Sequence, residues 1–213
     1  MKKTALILIT NICIYLSANS QTTYTKESDV YNCNKIIFYG YDFSDFQLSD
    51  AKRMGQDIRK FILYLDAEFF PEHLPEKKLQ KWLEKDYIIY NFNPTIQFNK
   101  KITNDGISSA FIHKISKDTL QSFINRYSIT EKEGIGYVII YECFDKETKS
   151  ASAYSVFFDI ATKKILLTDY VSKYDNNGFN RIRDWEPLSF KVIYLLSEKY
   201  LDRVEAINKG TKH

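Results

Sequence analysis

The run Gly136-Tyr-Val-Ile-Ile-Tyr-Glu-Cys-Phe144 places the tightest constraint on this chain. Its side chains are apolar on both alternating faces, the pattern of a central strand covered on each side. The next run, "SAYSVFFDI", alternates instead: Tyr154, Val156, Phe158 and Ile160 point one way, Ser155 and Asp159 the other. "KKILLTDYV" follows after a short turn, so the three runs read as an antiparallel meander, which Asn177-Gly178 closes.

Upstream, "KIIFYGYDF" reads as a strand rich in β-branched and aromatic residues, and "DYIIYNF" as a buried strand stopped by Asn93-Pro94. Between them Ser49 suits a helix N-cap and Asp50 its first turn. Ala51, Met54, Ile58, Phe61, Ile62, Leu65 and Phe69 then form one stripe at helical spacing until Pro71. Pro75 opens a short second helix. Residues 95–114 stay open, with extended pieces around "IQF" and "AFIHKI" and a turn at Asn104-Asp105-Gly106. Ser116 caps a helix carrying Leu120, Phe123, Ile124 and Tyr127 on one side. A last helix starts between Asn180 and Pro187, with Val192, Ile193, Leu196, Tyr200, Val204 and Ile207 on its apolar arc. These elements predict an α/β (α+β) sandwich. Its mixed sheet ends in the three-strand meander and is packed by long helices at about 49–69 and 185–207.

The N-terminus has a different character. Lys2-Lys3, the apolar run "ALILITNICIYL", and Ala18 and Ser20 before Gln21 match a cleaved signal peptide, and the run is shorter than the ~20 residues that span a bilayer. Cys13 follows Thr-Asn-Ile and lacks the small residues of a lipidation site. The expected organisation is a removed leader (1–20), a flexible polar tail (21–34) and one globular domain (35–208), without a transmembrane segment in the mature chain. The expected location is the periplasm or exterior of a Gram-negative bacterium.

Losing the leader takes the basic residues from 30 to 28 against 27 acids, and the basic residues alternate with acids. That balance gives no concentrated positive field for nucleic acid. In the oxidising compartment Cys33 and Cys143 can form a disulfide; the alternative is a free Cys33 in the tail and a buried Cys143 in a strand.

Candidate chemistry is sparse. Asp42 and Asp45 follow a strand, as nucleophile and acid do in some phosphatases. They are three apart rather than two, and no glycine-rich turn or placed lysine completes the set, so they read as turn and strand-end residues. Glu68, Glu72, His73 and Glu76 could hold a cation, but Pro71 and Pro75 deny them a common helix face. No Gly-x-Ser-x-Gly turn occurs, Gly134 and Gly136 precede a strand instead of following one, and no pattern calls for a cofactor or metal. The loop "DNNGFNRIRDWE" is the strongest binding candidate, with Asp175, Asn176, Arg181, Arg183 and Trp185 between the last strand and last helix. Its plain alternative is turns, a helix cap and a core tryptophan.

From Gly134 to Val204 the chain resembles the α/β domain of curli-secretion lipoproteins and the N-terminal part of the TolB envelope protein. The matching piece is Asp159-Ile-Ala-Thr-Lys-Lys-Ile-Leu166, followed by "GFNRIRDW" and a long helix. The resemblance implies a domain that docks on other envelope proteins or self-associates, with no catalytic residues to carry over. Two other readings stand beside it. One is a sugar or lipid binder using some of the sixteen tyrosines and two tryptophans. The other is a hydrolase built on Asp42 and Asp45.

Overall fold

The computed structural model describes residues 22–49, 58–109, 114–174 and 182–210. Its framework is a seven-stranded mixed sheet. β5 (Ile135–Asp145) runs through the middle and is buried along almost its whole length. β1 (Lys35–Asp42) pairs parallel with the first part of β5, and the short β2 (Gln47–Ser49) continues along the rest of the same edge. β3 (Tyr87–Tyr90) adds parallel outside β1, and β4 (Ser108–Ser109) outside β2. On the other edge of β5 come β6 (Ser150–Asp159) and β7 (Ile165–Tyr174), both antiparallel to their neighbours. The α+β class, the mixed sheet and the C-terminal meander are therefore as the sequence predicts.

Alternation along β1 divides the core into two. Ile36 and Phe38 face one cluster with Ile62, Leu65, Leu79, Val192, Leu196 and Tyr200. Ile37 and Tyr39 face the other, with Leu120, Phe123, Ile124 and Tyr127. The first face is covered by α2 (Ile58–Tyr64), α3 (Phe70–His73), α4 (Glu76–Leu83) and the long α8 (Trp185–Gly210). The second is covered by α7 (Lys117–Arg126), whose cap is Ser116, its hydroxyl accepting from Thr119 N at 3.1 Å. Each fully buried Leu, Ile or Phe contributes roughly 1.5–3 kcal/mol, so the two-sided cover of β5 is the main stabilising feature.

Three stretches depart from the sequence expectation. The stripe expected over 49–69 is helical from Ile58, but Ser49 ends β2, and residues 50–57 lie outside the described residues. Pro71 does not stop the helix. A π turn, Leu65–Phe69, precedes α3, and Phe70 N donates to Leu65 O. The wider turn shifts the register where proline would otherwise meet a carbonyl and lack a donor. Second, "NPTIQFN" is a helix, α5 (Asn93–Asn99), with Pro94 in its first turn, where no amide donor is needed. A short α6 (Asn104–Ile107) takes the place of the expected turn.

Third, residues 22–34 are docked instead of forming a flexible tail. α1 (Glu27–Asn32) buries Val30 completely. Thr22 N donates to Glu133 at 2.9 Å, Tyr24 N to Asp159 at 2.9 Å, and the buried Lys85 ammonium to Val30 O and Tyr31 O at 2.8 and 3.0 Å. The partners lie far away in sequence, so the segment alone carries no sign of them.

Candidate functional site

The carboxyl end of β1 collects the most polar chemistry in the interior. Gly40 sits at φ +87°, and the pairing of β1 with β5 is irregular between Phe38 and Tyr41. A side chain at Gly40 would press on the Phe92 ring, with 2.9 Å between a Cβ and that ring. α5 packs closely here and meets the carbonyls beside the irregularity. Thr95 Oγ1 donates to Tyr39 O at 2.6 Å, and Asn99 Nδ2 to Tyr41 O at 2.7 Å. Asn99 Oδ1 accepts from Phe43 N at 2.9 Å.

Two carboxylates join this clamp. Asp42 is buried; Oδ1 accepts from Ser44 N at 2.7 Å and Oδ2 from the Tyr127 hydroxyl at 2.5 Å. Asp66, carried in by the π turn, accepts from Asn99 Nδ2 at 2.8 Å. Burial pushes the Asp66 carboxyl up to about 6, opposed by the Asn99 hydrogen bond and helped by the Asp42 charge. Burial, and then Asp42, holds the Tyr127 phenol well above its ordinary value. Asp45 is half-buried and not one of the residues of this clamp. The sequence reading missed Asp66. Its signal is an acid four residues after Ile62, on the apolar arc of a helix.

A third buried acid, Glu142, is the extra residue of a bulge between Tyr141 and Cys143 in the β5–β6 pairing. Four donors surround its carboxylate: Ile115 N at 2.8 Å, Ser152 Oγ at 2.8 Å, Tyr170 OH at 2.9 Å and Tyr154 OH at 3.4 Å. Burial raises the Tyr170 phenol to about 12 and the neighbouring Cys143 thiol to about 11. Cys143 is therefore a thiol at neutral pH and not a thiolate nucleophile. The one acid inside the β5 apolar run was the available sequence signal for this centre. A fourth buried acid, Asp159, accepts from Thr162 N, Thr162 Oγ1 and Tyr24 N at 2.8, 2.6 and 2.9 Å. Its "D-x-x-T" segment thus shapes the β6–β7 turn and fastens the N-terminal segment.

Of the loop residues singled out in the sequence, Arg183 and Trp185 are among the described residues. Asp175, Asn176 and Arg181 lie outside the described residues. Arg183 is exposed, with its guanidinium 5.6 Å from the Tyr64 ring and 3.9 Å from Glu186. Trp185 is fully buried and stacks on Phe144 at 4.9 Å, so it is core and no binding anchor. Of the two alternatives for the cysteines, the structure has them unpaired: Cys33 and Cys143 are both free thiols, and Cys143 is buried in β5. Cys33 precedes the start of β1, whereas Cys143 lies eight residues beyond Ile135, the partner of Ile36. At ~3.3 Å per residue that is about 26 Å of sheet, far beyond bridging range. Among the described residues no three His, Cys, Asp or Glu side chains group as a metal site.

Outside, α3, α4 and α8 build an aromatic ridge. Phe190 lies 5.9 Å from Trp82 and 6.1 Å from the exposed His73, and Tyr194 lies 5.5 Å from Trp82. The Lys78 ammonium sits over both Trp82 and Phe190, at 5.1 and 4.6 Å, and Lys191 over Tyr194 at 4.3 Å. Trp82, Phe190 and Tyr194 all remain partly exposed. No helix among the described residues is long and apolar enough to cross a membrane. No family model, curated protein or solved structure matches the chain.

Proposed function

We propose that the chain is an exported, non-catalytic domain of the cell envelope that binds another protein or itself, and that the aromatic ridge is its recognition face. The observation that carries this reading is the ridge itself: Trp82, Phe190 and Tyr194 stay partly exposed beneath the cations of Lys78 and Lys191. Tryptophan and tyrosine are among the residues that supply most of the binding energy at protein interfaces, and a lysine over each ring adds a cation–π contact. The buried acids support the same reading. Asp42, Glu142 and Asp159 each meet amide and hydroxyl donors of their own surroundings, which suits fasteners better than proton carriers.

The test is a photo-crosslinking residue at Tyr194, with a control on the opposite face at Asn125, in the cell that makes the protein. The expected result is a discrete product at Tyr194 that is absent at Asn125 and lost in Trp82→Ala/Phe190→Ala. A product twice the chain mass identifies self-association, and any other discrete mass a different partner. Equal labelling at both positions, or a product that survives the double substitution, sinks the proposal. A sugar or lipid ligand would instead appear as a thermal shift that the same double substitution abolishes.

A further inference from the structure

β7 is a ten-residue strand that, among the described residues, is paired on one side only, by β6. The alternation of the meander shows which of its backbone groups are left. Ile160 N donates to Gly134 O, toward β5, and Asp159 N to Lys164 O, toward β7. Phe157, Ser155 and Ala153 therefore turn toward β7, where they meet Leu167, Asp169 and Val171. Thr168, Tyr170 and Ser172 must then direct their amides and carbonyls away from β6. Side chains partly blunt this edge: Lys199 Nζ donates to Tyr170 O at 2.8 Å, and Gln121 Oε1 accepts from Ile165 N at 3.2 Å.

Room exists on both sides of the same edge. Between β7 and α8 a groove of about 330 Å³ is bordered by Val171, Ser172, Leu195, Glu198, Lys199 and Asp202. Between β7 and α7 a second, of about 370 Å³, is bordered by Leu120, Gln121 and Ile165–Thr168. An added strand sends alternate side chains to opposite faces, so an open edge between two grooves has the form of a strand-addition site.

We infer that the occupant is β7 of a second copy, added antiparallel about a two-fold axis near Tyr170–Ser172. The charges of α8 select this occupant. A two-fold normal to the sheet brings the Glu198–Asp202 turns of both α8 helices to the same face, next to the axis. Each turn carries two acids and one lysine, so Glu198 and Asp202 of one copy meet Lys199 of the other. When a partner amide takes Tyr170 O, Lys199 is released from that carbonyl toward those acids. Lys173, on the α8 face of β7, adds a further cation to the acidic groove opposite. An isologous contact needs such self-complementarity, with both signs on one patch. The inference names the partner in the self-association arm of the proposed function, on which it rests, through a surface that adjoins the aromatic ridge where the Tyr194 hydroxyl donates to Glu198.

Sedimentation velocity of the leader-free protein over a dilution series tests it, beside two variants. Ser172→Pro removes an amide that points away from β6, which an edge strand tolerates. Glu198→Lys/Asp202→Lys makes the α8 turns uniformly basic. Wild type is expected to approach twice the monomer mass as concentration rises. Each variant should weaken association about tenfold or more while keeping the wild-type melting temperature at concentrations where wild type is monomeric. Adding Lys199→Glu to the charge-reversed variant should restore the dimer. Monomer at every concentration, or a dimer indifferent to both variants, overturns the inference. Ser172→Pro lies on β7 and Trp82→Ala/Phe190→Ala on the ridge, so dimer loss confined to the first tests the edge, and crosslink loss confined to the second tests the ridge.

Discussion

Asp66 is carried inward by one turn of wider helix, into a site where water cannot solvate its charge. Its carboxyl titrates near 6 when folded against an ordinary 3.8. The folded state thus holds a proton that the unfolded chain releases earlier, and stability falls as pH rises from about 4 to about 6. Above that window the cost is fully present; below it the cost is absent. Asp66→Asn removes the charge and keeps an oxygen for the Asn99 amide. The variant should be more stable than wild type by ~2–3 kcal/mol at neutral pH, at about 1.4 kcal/mol per pKa unit. The difference should shrink to near zero by about pH 4. Urea denaturation of both proteins across that range checks it; a constant difference, or a destabilised variant at neutral pH, refutes the assignment of burial as the cause.

Among the elements, α1 is the one whose presence depends most on a residue elsewhere. Six residues make a helix far too short to persist alone, and Lys85 supplies what it lacks by bonding Val30 O and Tyr31 O. Lys85→Ala should release residues 22–34 to protease many-fold faster and lower global stability by roughly 2–3 kcal/mol, the worth of charged hydrogen bonds that burial makes costly to lose. Limited proteolysis with mass mapping would detect the cut; protection equal to wild type would show that Val30 burial, the Tyr31–Tyr200 ring contact and the Arg203–Glu27 pair hold α1 without Lys85. The same dependence explains what the sequence reveals. β5, the meander, α7 and α8 are legible because each carries its own period, or its own cap at Ser116. α1 and α5 are not. α1 buries a single residue, and α5 replaces the expected apolar stripe with Thr95 and Asn99, which serve carbonyls of β1. Asn93-Pro94 fits a strand stop and a helix start equally well. The candidate sites were less legible still: Asp42 was visible, but Asp66 and Glu142 acquire their roles only from donors 33 residues and more, or 10 and more, away in sequence.

For the whole molecule, the two-sided cover of β5 implies a gradient of local stability from the centre of the sheet outward. β5 has β1 and β2 on one edge, β6 on the other, and a separate apolar cluster on each face. Opening its amides requires breaking both layers, which amounts to global unfolding. β3 has one neighbour and exposes 65% of Tyr87 and 43% of Ile89, so it can detach while the rest of the sheet stays paired. β7 also has one strand neighbour, yet Asp169 is anchored to Arg203 of α8 at 2.8 Å. Native-state hydrogen exchange should therefore place Val138–Ile140 and their β6 partners slowest, near the global unfolding free energy, β7 between, and β3 fastest of these four strands. The dilution series adds a second dimension. If copies join through β7, outward amides such as Tyr170 and Ser172 should slow as concentration rises, while β3 keeps its rate. Protection in β3 equal to that in β5 would mean that the sheet opens as one unit, and the gradient would have no basis.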